Sequence, residues 1–214
     1  SQIQELAYLL AATTQIFRSG MAAGLSAAQI ARTTAMSIAL PADLFDGIAK
    51  CRAIRRSWAG VVTALGLDAD SYRLQLQALP SLRMFSLADA DINMLRTTTA
   101  LLGGAIGGAD IMTAFAHDVL TGGSAMGQRL ARMQQIMMIE ESGLGRSLDA
   151  AGGAGFIEAR SDALAAAAWA AFQDIEAEGG ALALQSDQRF AAMAQATAQK
   201  RNARFAAGEL PMLG

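Results

Sequence analysis

The sequence predicts an α/β chain of parallel strands joined by helical crossovers, on three observations. Strand-like and helix-like periodicities alternate three times between residues 33 and 142. Parallel strands need crossovers of that kind. Glycines and prolines stand at the joints without forming a repeat of 20–50 residues, at 21 Gly and 3 Pro. The chain is 53% hydrophobic and 17% charged, the opposite of the balance that keeps a chain disordered.

The elements follow in order. Leu6, Leu9, Leu10, Thr13, Ile16 and Phe17 recur at helical spacing, predicting a helix from residue 3 with no cap at its start and a stop at Gly20. Thr33–Leu40 is short, rich in Thr, Ile and Met, and ends at Pro41, so a buried strand is expected. Asp43 is placed to cap the next helix, which carries Phe45, Ile48, Ile54, Trp58 and Val62 to a stop at Gly66. Arg73–Leu79 alternates: Leu74, Leu76 and Ala78 on one side, Arg73, Gln75 and Gln77 on the other. That is a period-two strand with Pro80 at its end. A helix with Ile92, Leu95, Leu102 and Ile106 follows and stops at Gly107-Gly108. Asp110–Ala116 is the third expected strand, and Met126, Leu130, Met133 and Met137 mark the helix after it. Beyond Gly152 only helices are expected: Ser161–Glu178, with Ser161 as N-cap, and Ser186–Ala207, closed by Gly208 and followed by Pro211. Three βα units are too few for a closed eight-stranded barrel, which takes roughly 200–250 residues. They suit the last part of one.

Composition removes several functions. The longest stretches without Asp, Glu, Lys or Arg, Ser19–Ala31 and Thr97–Ala109, are 13 residues each. A spanning helix needs about 18 or more, so no membrane role is expected, and the first residues do not read as a secretory signal. The net charge of −2, with basic residues dispersed, gives no case for nucleic acid. The single Cys51 excludes an internal disulfide and fits a reducing, cytoplasmic setting. It lies mid-helix between Lys50 and Arg52 and reads as structural. One histidine, His117, excludes a zinc cluster built on several histidines. No dinucleotide-binding glycine motif, phosphate loop or nucleophile elbow is present.

A series of short motifs then carries a resemblance. Gln4-Glu5-Leu6-Ala7-Tyr8 opens it, and Phe45-x-x-Ile48-Ala49-Lys50-x-Arg52-Ala53-x-Arg55-x-x-Trp58 is its most distinctive stretch. Asn93-Met94-Leu95-Arg96-Thr97-Thr98, Gly107-Gly108-Ala109-Asp110 and Arg129-x-Ala131-Arg132 continue it. Glu140-Glu141-Ser142, Asp149-Ala150-Ala151-Gly152-Gly153 and Ala168-Trp169-x-x-Phe172-x-x-Ile175-Glu176 complete it. In this order the set resembles the methylmalonyl-CoA mutase family of adenosylcobalamin-dependent acyl-CoA mutases, from residue 2 nearly to the C-terminus.

The resemblance implies a TIM barrel that binds the acyl-CoA thioester and a separate domain that binds cobalamin. Residues 1–214 would be a single partial domain, the C-terminal portion of a (β/α)8 TIM barrel: about three βα units at 33–142, then a helical extension at 143–214. The cobalamin domain's Asp-x-His-x-x-Gly motif is absent, since His117 is flanked by Phe115-Ala116 and Asp118-Val119. Adenosylcobalamin is therefore expected as the parent enzyme's cofactor, with none bound by this chain alone. Departures from catalytic members point to the small, non-catalytic subunit. The family's CoA-contacting Arg-x-Ser corresponds to Thr33-Thr34-Ala35, with Arg32 one place off, and Met133 stands where an Asn is usual. Expected partners are a catalytic mutase subunit or the missing barrel half, acyl-CoA in the full enzyme, and further copies of the chain in isolation. The alternatives are a piece of a catalytic mutase chain and a stand-alone interaction protein that has lost the chemistry.

No catalytic residue or metal ligand is expected here. Barrel sites lie at the carboxyl ends of strands. The candidate substrate contacts are therefore Ser81 and Arg83 after one strand and His117 after another. His117 could donate to a thioester oxygen or a phosphate, or simply pair with a loop neighbour. Gln75 and Gln77 could line the barrel interior or satisfy each other. Asn93 and Arg96 read as ties between a helix and a loop. Lys50, Arg52, Arg55 and Arg56 surround their helix, so ion pairs and solvation account for them better than a phosphate site. Met133, Met137 and Met138 read as core first and as a subunit contact second.

Overall fold

The structure, a computed structural model, describes residues 1–210 and 212–213. The expected Pro211 lies outside them. Eight α-helices and three strands are described: α1 Gln2–Ala22, α2 Ala27–Thr33, β1 Ala35–Leu40, α3 Leu44–Ala64, β2 Gln75–Pro80, α4 Ile92–Ile106, β3 Ile111–Met112, α5 Ala125–Glu140, α6 Gly155–Ala177, α7 Gly180–Ser186 and α8 Arg189–Ala206. They form two compact units. One, the helical unit, comprises Ser1–Thr34, Ser57–Arg73 and Ala166–Leu213; the other, the sheet unit, comprises Ala35–Arg56 and Leu74–Ala165.

In the sheet unit the strands pair in parallel in the order β1-β2-β3. This is the α/β arrangement of a partial, TIM-barrel-like domain. Alternation decides the faces. Met36, Ile38, Leu40, Leu76 and Ala78 are buried beneath α4, while Ala35, Ser37 and Gln75 on the opposite face are exposed. Helix α4 can lie close because Gly104 faces the sheet. A Cβ there would stand 2.9 Å from Leu40 Cδ1 and 3.4 Å from Ala78 Cβ. Helix α3 crosses α4 at Gly47 and Gly103, where an added Cβ on Gly47 would be 3.5 Å from the Gly103 Cα.

Strand limits differ from the expected ones for local reasons. β1 starts at Ala35 because Thr33 closes α2 and the Thr34 hydroxyl donates to the Ile30 carbonyl at 2.8 Å. Pro80 stays in β2 opposite Leu40, and the next N–H, from Ser81, donates to the Leu40 carbonyl at 2.8 Å. β3 is only two residues long. Thr113 N–H still reaches the Ala78 carbonyl at 3.0 Å, but the bond that would continue the ladder falls to Pro80 of β2, which has no N–H to donate, so the pairing ends.

The arginines of α3 are all engaged. Arg52 bridges Asp149 at 2.8 Å and Glu158 at 2.5 Å. Burial would lower its pKa, but the two carboxylates outweigh that and raise it. The Gly153 N–H and Arg52 hold Glu158 below the usual carboxylate range. Arg55 donates to the Leu74 carbonyl at 2.8 Å and pairs with Asp110 at 2.7 Å; Arg56 pairs with Asp162. Lys50 is fully buried, its ammonium 2.6 Å from the Ala39 carbonyl. Burial pushes the Cys51 thiol up to about 12, which leaves it protonated and unreactive as expected of a structural cysteine.

The methionine stripe of α5 is corrected. Met138 is buried, but Met133 and Met137 are 36% and 43% exposed. The stripe turned towards α4 runs instead through Ala131, Gln134 and Met138. There Gln134 donates to the Met94 carbonyl at 2.9 Å and to the Thr98 hydroxyl at 2.7 Å.

In the helical unit, α1 is capped after all. The Ser1 hydroxyl accepts from Gln4 N–H, and the Gln4 side chain reaches back to the Ser1 amine at 2.7 Å. Gly20 does not stop the helix. It makes room for α2, since a Cβ there would lie 2.7 Å from Ile30 Cδ1. Helix α6 begins six residues before Ser161, whose hydroxyl donates to the Ile157 carbonyl at 2.7 Å rather than capping anything. The last expected helix is α8, which starts three residues later than expected, after Gln188 at φ 56°; the short α7 before it is an addition to the expected elements. Among the described residues no helix is long and apolar enough to cross a membrane.

Candidate functional site

The open face of the sheet collects residues from all three strands. Register sets Ala35 beside Gln75, and Gln77 between Ser37 and Ile111. Gln75 and Gln77 thus share the uncovered face, as their period-two spacing requires. Gln77 donates to the Thr113 hydroxyl at 3.0 Å, so it is Thr113 and not Gln75 that satisfies it. Ser37 and Thr113 belong to this face and were not singled out from the sequence. Their own strands mark them as outward-facing, but only the register shows that they flank Gln77.

Parallel strands put their carboxyl ends at one end of the sheet. Past β2, Ser81 is buried and its hydroxyl accepts from Arg83 Nε at 3.4 Å; the rest of Arg83 is exposed on the 3-10 turn. Past β3, His117 is half-buried, with Nε2 3.4 Å from the Asp91 carboxylate and Nδ1 buried without a hydrogen-bond partner. Asp118 accepts from Ser124, whose hydroxyl and backbone hold it below the usual carboxylate range. One buried amide ties the loops together. Asn93 Nδ2 donates to the Ser86 carbonyl at 2.8 Å and to the His117 carbonyl at 3.0 Å, and its Oδ1 accepts from Ser86 N–H at 2.9 Å and Arg96 at 2.8 Å. Asn93 thus does the tying expected of it, while Arg96 bonds to Asn93 within α4.

Two of the departures from the catalytic pattern are placed. Arg32 is on α2, its guanidinium 5.0 Å from the Tyr72 ring centroid, and Ala35 presents only a methyl group to the row it shares with Gln75. Among the described residues no group of three His, Cys, Asp or Glu side chains could hold a metal ion.

All 214 residues match the family model described as Methylmalonyl-CoA mutase. A probable methylmalonyl-CoA mutase small subunit of Mycobacterium bovis is 37% identical over 98% of this chain and 36% of its own length. The methylmalonyl-CoA mutase small subunit of Streptomyces virginiae is 39% identical over 87% of this chain and 30% of its own. The methylmalonyl-CoA mutase of Escherichia coli is 30% identical over 83% of this chain and 25% of its own. The chain thus spans about a third or less of the length of these relatives. On a match of this extent and identity, the chain belongs to the methylmalonyl-CoA mutase family.

Proposed function

We propose that the chain is a barrel part of a small-subunit-type mutase polypeptide, structural in role and inactive alone. The parent enzyme would isomerise methylmalonyl-CoA and succinyl-CoA, with adenosylcobalamin supplying the radical that starts the rearrangement. Within that polypeptide, residues 33–142 supply βα units and 143–214 a helical extension. The observation that carries this reading is the match of the whole chain to relatives named as small subunits.

This chain's own residues would bind rather than react. Gln75 and Gln77 line the uncovered face along which an acyl-CoA arm can lie. Ser81, Arg83 and His117 stand at the carboxyl ends, where hydroxyl, guanidinium and imidazole groups suit thioester and phosphate oxygens. The residues do not fit cobalamin's lower ligand. The one imidazole lies beside Asp91 on a loop tied down by Asn93, outside any Asp-x-His-x-x-Gly sequence. Titration of the purified chain with adenosylcobalamin is expected to leave the cobalamin spectrum unchanged. A stoichiometric change of axial ligation would overturn the structural reading.

The partner is a catalytic mutase subunit or the remaining barrel strands, in a cytoplasmic setting. β1 and β3 are the outer strands of the sheet, each with a ladder on one side only. Open edges pair with other chains, so the isolated chain is expected to form homo-oligomers. A clean monomer in sedimentation at high concentration contradicts this. The Escherichia coli relative, named simply as a mutase, favours a second reading: a piece of a catalytic chain. A cobalamin-domain sequence in the same reading frame would decide for it.

A further inference from the structure

The helical unit holds a pocket of about 340 Å³ that the proposed mutase role does not use. Three helices make it. Phe17 and Met21 come from α1, Val61 and Leu65 from α3 and the turn after it, and Trp169 and Phe172 from α6. Trp169 meets Phe172 edge-on at 5.2 Å between ring centroids. Gly60 leaves room for the indole, since a Cβ there would be 3.3 Å from it. The wall is almost entirely carbon. The pocket opens to solvent on one side, past the exposed Met21 and Ala64, and its volume falls in the range of small-ligand sites, about 300–1,000 Å³.

One lining residue is charged. Arg18 follows Phe17 on α1, and its guanidinium is about half exposed at the pocket. Glu176 holds it through one terminal nitrogen, Nη2. A guanidinium carries five N–H donors in a planar fork that matches a carboxylate. Glu176 does not line the pocket, so what a ligand meets is an apolar wall with the free edge of an ion-paired guanidinium beside it.

We propose that this pocket binds a free straight-chain monocarboxylic acid of medium length, roughly eight to ten carbons for a volume at the low end of the small-ligand range. The alkyl chain lies against Phe17, Trp169 and Phe172, and the carboxylate takes the unused donors of Arg18.

The test is calorimetric titration of the purified chain with hexanoate, octanoate, decanoate and 1-octanol. Affinity should rise about fourfold per added methylene, equivalent to about 0.8 kcal/mol, and octanoate should bind at least about tenfold tighter than octanol, because its carboxylate is ionised. Arg18→Gln should erase that difference while octanol binding persists. Ala64→Phe, at an exposed lining position, should abolish binding of every probe with an unchanged circular dichroism spectrum. Failure of all the acids to saturate, equal affinity for octanoate and octanol, or unaltered binding in Ala64→Phe would each overturn the assignment.

Discussion

Replacing Trp58 with alanine is expected to destabilise the helical unit by about 3–5 kcal/mol, the range for emptying a buried aromatic site. Trp58 is 1% exposed, and the Phe17 ring packs against it at 6.0 Å between centroids. Its indole N–H donates to the Tyr72 carbonyl at 2.7 Å and so pins the turn that follows α3. Alanine removes both the apolar volume and that bond. A domain holds together by only about 5–15 kcal/mol in all, so the loss should show as a large shift of the urea midpoint. Trp58→Phe separates the two contributions. It keeps most of the ring volume and loses the N–H, for a cost nearer 1 kcal/mol. Equal costs for the two variants would mean that the hydrogen bond, not the packing, holds this site. Trp58 closes the most distinctive motif of the sequence, and its surroundings give that position a packing role rather than a chemical one.

The sequence made β2 readable because one face of that strand is buried and the other is not. Leu74, Leu76 and Ala78 had to face a core, so Gln75 and Gln77 had to face away. The same logic failed for β3. Its apolar and polar residues suggest seven strand positions, yet a strand lasts only as long as its neighbour can bond to it, and Pro80 of β2 has no N–H to offer Thr113. Helix α2 is not legible from spacing, although Ser26 and Gln29 form a capping box at its start. Its seven residues are too few to show a helical period. The α5 methionines misled for a different reason. Several faces of that helix carry apolar side chains, and the buried face is selected by Gln134 bonding to α4, a tertiary choice that periodicity does not encode. The candidate site divides similarly. Residues of one strand or one loop could be grouped from spacing alone, whereas Ser37 beside Gln77, and His117 tied to Ser86 through Asn93, depend on register and loop closure across the fold.

Asn93→Ala should cost about 3 kcal/mol and should loosen the carboxyl end of the sheet in particular. The side chain is 1% exposed and fully used: two donors go to the Ser86 and His117 carbonyls, and one oxygen accepts from Ser86 N–H and Arg96. A methyl group can replace none of these bonds. Each buried polar group left without a partner costs about 1–3 kcal/mol, and water that enters to rescue it opens the loops. Local opening is read by amide exchange. Exchange should quicken across residues 81–91 and 113–118, the segments carrying Ser81, Arg83 and His117, while the paired amides of β1 and β2 keep their protection. Gln134→Ala is the control. It also removes a side-chain tie to α4, but on the α5 side, at Met94 and Thr98, so it should leave both loops at their original rates. If Asn93→Ala leaves them unchanged too, the loops are held by their own turns and the amide is not the tie that positions the candidate residues.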